Sequence, residues 1–137
     1  MNALVDQVLI VDDEFMIAQL LTMYVEDIGK VVCATAATAD QAIALAQEHR
    51  PAIVLMDMRL RGEKDGVDAA LAIHDTVGSK VIFITGSTEP STLTRIGLDH
   101  PSSVLIKPVK ELALREAIEK ATCELEGDGP TVVGTAA

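Results

Sequence analysis

Three short apolar runs, each stopping abruptly on charge, constrain this chain most. They are Val8-Leu9-Ile10-Val11 before Asp12 and Asp13, Ile53-Val54-Leu55-Met56 before Asp57, and Val104-Leu105-Ile106 before Lys107 and Pro108. Runs of branched apolar residues without polar alternation read as strands buried on both faces of a parallel sheet. In an open parallel sheet the chemistry lies at the carboxyl ends of the strands. A fourth run, Lys80 to Ile84, delivers Thr85 to the same edge. Asp12, Asp13, Asp57, Thr85 and Lys107 are therefore expected to converge there. Three carboxylates, a hydroxyl and an ammonium suit a divalent metal and a phosphoryl group.

The segments between these runs are helical. After Glu14, the residues Ile17, Leu20, Leu21, Tyr24, Val25 and Ile28 recur at helical spacing and predict one apolar stripe, stopped by Gly29. Residues 31–36 form a weaker second strand. Thr38 or Asp40 caps the next helix, whose inward face is Ala42, Ile43, Leu45 and Ala46. The stretch 58–66 has no period, two glycines and mixed charge, and reads as a functional loop. Val67 to Thr76 is a helix with Val67, Ala70, Leu71 and His74 inward. Pro90 suits a first helical position, and a short helix is expected over about 91–98. It is the least firmly held element. Pro108 opens the last helix, with Val109, Leu112, Ala113, Ala117, Ile118 and Ala121 facing in. Five strands alternating with five helices give an α/β fold, a doubly wound parallel sheet with helices on both faces. One domain over residues 1–126 is expected, followed by a flexible tail over 127–137.

Composition narrows the function. The formal net charge of −10 disfavours binding to nucleic acid, which needs Lys and Arg on phosphates. No Trp, one Tyr and two Phe leave few platforms for stacking bases. No apolar run is long enough for a membrane span, and Met-Asn-Ala-Leu-Val-Asp has no basic n-region, so a cytoplasmic location is expected. Cys33 and Cys123 have no metal-type spacing and read as buried or half-buried free thiols. His49, His74 and His100 lack Cys or carboxylate partners at ligand spacing and read as surface or helix-end residues.

The acidic pair Asp12 and Asp13, the single Asp57, Thr85, and Lys107-Pro108 stand in one order at successive strand ends. Over residues 7–125 the chain resembles the receiver domain of two-component response regulators, in its CheY-like single-domain form. Each motif alone is weak; five together are specific. The resemblance implies a flavodoxin-like sheet of strand order 2-1-3-4-5. It implies Asp57 as acceptor of a phosphoryl group from a histidine kinase or phosphotransfer protein. Leu60-Arg61-Gly62 and Asp65-Gly66 are similar to the loop of many single-domain receivers. Phe83-Ile84-Thr85-Gly86 resembles a subgroup often found with stress-response kinases, although Ser87 replaces that subgroup's aromatic residue. Val104 also departs from the family, which carries a switch Tyr or Phe there. A cis peptide at Lys107-Pro108 is a further expectation.

The chemistry follows. Phosphoryl transfer needs an in-line nucleophile and positive charge on the equatorial oxygens. Asp57 is the expected nucleophile, forming an acyl phosphate. Mg²⁺ takes octahedral oxygen ligands and keeps several waters. Asp13 and Asp57 are expected to bind it directly and Asp12 directly or through water, and the resemblance adds the backbone carbonyl of Arg59. Lys107 and the Thr85 hydroxyl are expected on the phosphoryl oxygens. The singly weaker alternatives are an Asp that caps the first helix, a solvated Lys and a strand-ending Thr. The chain thus reads as a stand-alone receiver, not an enzyme in its own right, signalling through protein contacts or acting as a phosphate sink. A small Mg²⁺-dependent phosphohydrolase would want a second acid close after Asp57, where Met58 and Arg59 stand. An atypical receiver that binds partners without phosphorylation draws its support from Val104.

Overall fold

The computed structural model describes residues 7–127. The strands are β1 (Gln7–Val11), β2 (Val31–Ala36), β3 (Ile53–Asp57), β4 (Lys80–Thr85) and β5 (Ser103–Ile106). The helices are α1 (Phe15–Asp27), α2 (Ala39–His49), α3 (Gly66–Thr76), α4 (Pro90–Gly97) and α5 (Glu111–Gly127). All strands are parallel, in the order β2-β1-β3-β4-β5. This is the doubly wound sheet expected from the apolar runs. The expected tail lies outside the described residues except Gly127, which closes α5. The N-terminal six residues also lie outside them.

Alternation of side chains divides each central strand between two cores. Leu9, Val11, Val54, Met56, Val81 and Phe83 point to one face, where the buried residues of α2 and α3 and Ile96 of α4 cover them. Val8, Ile10, Ile53, Leu55, Ile82 and Ile84 point to the other, beneath α1 and α5. That double covering is why these strands tolerate no polar residue until they end. Among the described residues no helix is long and apolar enough to cross a membrane.

Helix faces depart from expectation at their shoulders. Leu20, Leu71 and Leu112 are exposed. Ala18 joins Leu21 and Val25 as the buried residues of α1, and Ala69 and Ile73 are buried in α3. In α5 the buried set is Leu114, Ala117, Ile118 and Ala121. These stand at helical spacing, and Leu112 falls off that stripe. The helix begins at Glu111, three residues beyond Pro108, so Pro108 lies in the connection before it; the Lys107-Pro108 bond is cis, as expected. Cys33 is half-buried, with its thiol 3.6 Å from the Val8 carbonyl, whereas Cys123 is exposed on α5, not buried.

Thr38 caps α2 by accepting from the Gln41 N–H at 3.1 Å, which settles the choice between Thr38 and Asp40. α4 has weaker support. The Glu89 side chain makes no capping hydrogen bond to the first turn, and Ile96 is the one buried residue among its eight.

Candidate functional site

Every strand-end residue expected at the edge arrives there. β1 delivers Asp12, whose N–H donates to the Ala36 carbonyl at 2.9 Å. One Asp12 oxygen, Oδ1, accepts from the Glu14 N–H at 2.8 Å, much as a capping residue does. The other, Oδ2, is buried without a hydrogen-bond partner. β3 delivers Asp57, buried at 5 % exposure. β5 delivers Lys107, whose N–H donates to the Thr85 carbonyl at 2.8 Å and so fixes the lysine beside the end of β4. The ammonium lies 3.3 Å from Asp57 Oδ1, 3.7 Å from Asp12 Oδ2 and 3.8 Å from Glu14 Oε1.

Asp12, Asp13 and Asp57 each offer an oxygen to one point, all within 4.8 Å of one another. Asp13 is held from behind, since the Arg61 Nη2 donates to its carbonyl at 3.3 Å. A cleft of about 530 Å³ opens over the cluster, lined by Asp13, Asp57, Arg59, Thr85, Ser87 and Lys107 among others. The Thr85 side chain is engaged by its own turn. Its Oγ accepts from the Ser87 N–H at 3.1 Å and donates to the Ser87 carbonyl at 3.3 Å. A hydroxyl placed for an incoming oxygen must therefore exchange that bond.

Electrostatics mark the cluster as strained. Burial, together with the Asp12 charge, raises the Asp57 carboxyl from 3.8 to about 6, against the pull of Lys107. Burial likewise raises Asp12, with Glu14 N–H and Lys107 opposing it. Burial works against charge on Lys107, but Asp57 and Asp12 outweigh it and raise the lysine. Three clustered carboxylates with an orphaned, buried oxygen make a hard, anionic, all-oxygen donor set. That set fits Mg²⁺ or a similar cation.

Residues that the sequence did not announce also shape the site. Glu14, read only as a helix opener, faces Lys107; the run of three consecutive acids was its signal. Thr92 of α4 lines the cleft, with no sequence cue. Arg95 grips Asp65 and Asp68 across the chain. His74 is not a lone helix-end residue. Its Nδ1 lies 2.9 Å from the buried Asp99 carboxylate, a partner 25 residues away that spacing could not reveal. Val104, at the family's switch position, is 38 % exposed on the edge strand.

Comparison with known proteins agrees with this geometry. The family model for the response regulator receiver domain matches residues 8–119. The transcriptional regulatory protein PdtaR of Mycobacterium tuberculosis is 28% identical over 132 residues, covering 92% of this chain and 64% of its own length. The phyllosphere-induced regulator PhyR of Methylorubrum extorquens is 31% identical over 116 residues, covering 84% of this chain and 43% of its own. The chain thus spans less than two thirds of these relatives. Among solved structures, the signal receiver domain of a modulated diguanylate cyclase from Desulfovibrio desulfuricans G20 superposes with a TM-score of 0.85 at 32% identity, over 90% of this chain and 98% of that one. With the fold, the strand-end cluster and the family match in agreement, the chain belongs to the response regulator receiver domains.

Proposed function

We propose that this receiver accepts a phosphoryl group on Asp57, with Mg²⁺, from a histidine kinase or phosphotransfer protein. One observation carries the reading: carboxylate oxygens of Asp12, Asp13 and Asp57 lie within 4.8 Å of one another beside a cleft, with the Lys107 ammonium 3.3 Å from Asp57. A carboxylate oxygen of Asp57 attacks phosphorus, the bond from phosphorus to the donor nitrogen breaks, and an acyl phosphate forms. The departing imidazole keeps the electron pair of that bond. Lys107 then stands beside the new equatorial oxygens, and Thr85 trades its bond to Ser87 for one of them. Asp12, Asp13 and Asp57 hold the cation, with the Arg59 carbonyl as a further ligand. Mg²⁺, when bound, neutralises negative charge that would otherwise repel the phosphoryl group.

Function is then that of a cytoplasmic signalling switch without nucleic-acid contacts of its own, acting through a partner protein or draining phosphate from a kinase. The phosphohydrolase reading lacks a second acid beside Asp57, and Met58 and Arg59 line that side. Acetyl phosphate with Mg²⁺, followed by intact-protein mass, tests the choice. One phosphate per chain, saturating, is expected. Steady release of many phosphates per chain without a covalent adduct would point to the hydrolase.

Two further results are expected. Asp13→Asn should weaken Mg²⁺ binding by at least about tenfold, because even partners behind a metal ligand cost that much when removed. NMR titration of strand-end amides reads it, and equal affinity in the variant would remove Asp13 from the ligand set. Protons compete with the cation for Asp57, whose carboxyl is raised to about 6. Affinity should therefore fall as pH drops through 6 and level off above 7. A flat profile from pH 5 to 8 would show that Asp57 is not a ligand.

A further inference from the structure

Arg95 joins two parts of the molecule that lie on different elements. It stands on α4, one turn beyond Thr92 at the cleft wall. Its Nε donates to Asp65 Oδ2 at 2.7 Å, and its Nη2 donates to Asp65 Oδ1 at 3.0 Å and to Asp68 Oδ1 at 3.1 Å. A planar fork on both oxygens of one carboxylate fixes orientation as well as distance. Asp65 is itself committed: it caps α3 by accepting from the Val67 and Asp68 N–H groups, each at 3.0 Å. Asp68 answers by accepting from the Asp65 N–H at 2.9 Å. The next residue, Gly66, donates to the Met58 carbonyl at 2.8 Å, and Met58 directly follows Asp57. Hydrogen bonds and one turn of backbone thus run without a gap from α4 to the expected acceptor.

α4 has few other attachments. Ile96 is its one buried residue, and Leu93 and Leu98 are exposed. Just past its end the fully buried Asp99 carboxylate meets His74 of α3 at 2.9 Å. The rear of α4 is therefore pinned, its first turn is mostly exposed with Thr92 at the cleft, and the Arg95 fork lies between.

We propose that Arg95 is a positioning residue that couples α4 to the acceptor loop, residues 58–65, through its fork on Asp65. The two then shift as one unit when the site is filled. The phosphoryl reading supplies only what fills the site; the link belongs to the protein alone. Coupling of this kind is reciprocal, so whatever binds α4 also acts on the acceptor loop. Because Arg95 and Asp65 side chains are 39 % and 27 % exposed, salt should weaken the link.

Amide hydrogen exchange on the full chain tests this in wild type, Arg95→Ala and Arg95→Lys, first without ligand and then with Mg²⁺ and beryllofluoride. Without ligand, Arg95→Ala should speed exchange at Gly66, Val67 and Asp68 by about tenfold while β5 and α5 stay unchanged. Lysine keeps the charge without the fork, so Arg95→Lys should retain most of that loss. With beryllofluoride, wild type should change at 58–66 and at 92–97 together. In Arg95→Ala the change should stay at 58–66 and fall at least about threefold at 92–97. Unchanged exchange at 66–68 in Arg95→Ala, or a lysine variant matching wild type, overturns the fork. A full-sized α4 response in Arg95→Ala overturns the coupling. Absence of any beryllofluoride effect at 57–59 in wild type counts against the phosphoryl reading, while the ligand-free comparison still decides the fork.

Discussion

Asp57→Asn is expected to abolish phosphoryl acceptance and, in the absence of metal, to make the protein more stable at neutral pH. Loss of acceptance follows from chemistry, since an amide offers no anionic oxygen to attack phosphorus. The gain in stability follows from the buried charge. Asp57 titrates at about 6 in the folded chain against 3.8 for an ordinary Asp. Below about pH 4 the carboxyl is neutral in both states and costs nothing. Between 4 and 6 the folded state holds the proton that the unfolded state releases, so stability falls as pH rises through that window. Above 6 the penalty is complete, on the order of 3 kcal/mol. Asn has no such titration. Lys107 keeps Asp12 and Glu14 as neighbours in the variant, so its charge is not stranded. Urea unfolding with EDTA should show the two proteins nearly equal at pH 4 and the variant ahead at pH 7.5. Added Mg²⁺ should close or reverse the gap, because only wild type presents the full ligand set. A variant no more stable than wild type at pH 7.5 would show that the carboxylate is not penalised. A phosphate adduct on the variant would show that another residue accepts it.

What the sequence revealed and what it hid divide along the range of the interactions. The strands were legible because burial on both faces forces a continuous apolar run. Where such a run ends, as at Val11 and Met56, the next side chain must meet the sheet edge. The acidic cluster was legible for the same reason: topology alone carries Asp12, Asp57 and Lys107 to one end. Helix faces were legible only to their centres. Leu20, Leu71 and Leu112 lie a fraction of a turn from the buried stripe, and apolar character alone cannot tell shoulder from centre. Polar partners across elements were not legible at all. Arg95 with Asp65 and His74 with Asp99 are joined only because α4 lies beside α3, and no local spacing encodes that contact. Thr85 shows a third limit. Its position followed from the end of β4, but its engagement with Ser87 depends on the turn that follows.

The largest effect on stability is expected from the smallest side chain added near the site, in Gly66→Ala. Gly66 opens α3, and its backbone angles are ordinary, so the requirement for glycine is one of space. A Cβ there would overlap the backbone carbonyl oxygen of Asp57 and stand 3.1 Å from the Met56 Cγ. Neither neighbour can retreat. β3 is buried along its whole length and paired on both sides, with Asp57 opposite Ile84. The Met58 N–H also donates to the Ile84 carbonyl at 3.1 Å. The start of α3 must therefore move away, which stretches the Gly66 bond to Met58 and disturbs the Asp65 cap. Overpacking costs about 1–3 kcal/mol and a lost cap about 1 kcal/mol, so a loss of roughly 3 kcal/mol is expected. For a domain of this size that lowers Tm by roughly 10 °C. Gly97 provides the contrast, because nothing lies near its would-be Cβ and it is the last residue of α4. Gly97→Ala should leave stability unchanged or raise it by about a few tenths of a kcal/mol through helix propensity. The displacement in Gly66→Ala also moves Asp57, so surviving folded protein should bind Mg²⁺ more weakly than wild type. Thermal unfolding of both variants checks the contrast. If Gly66→Ala melts within 2 °C of wild type, the close approach of α3 to the Asp57 carbonyl is not what positions the acceptor.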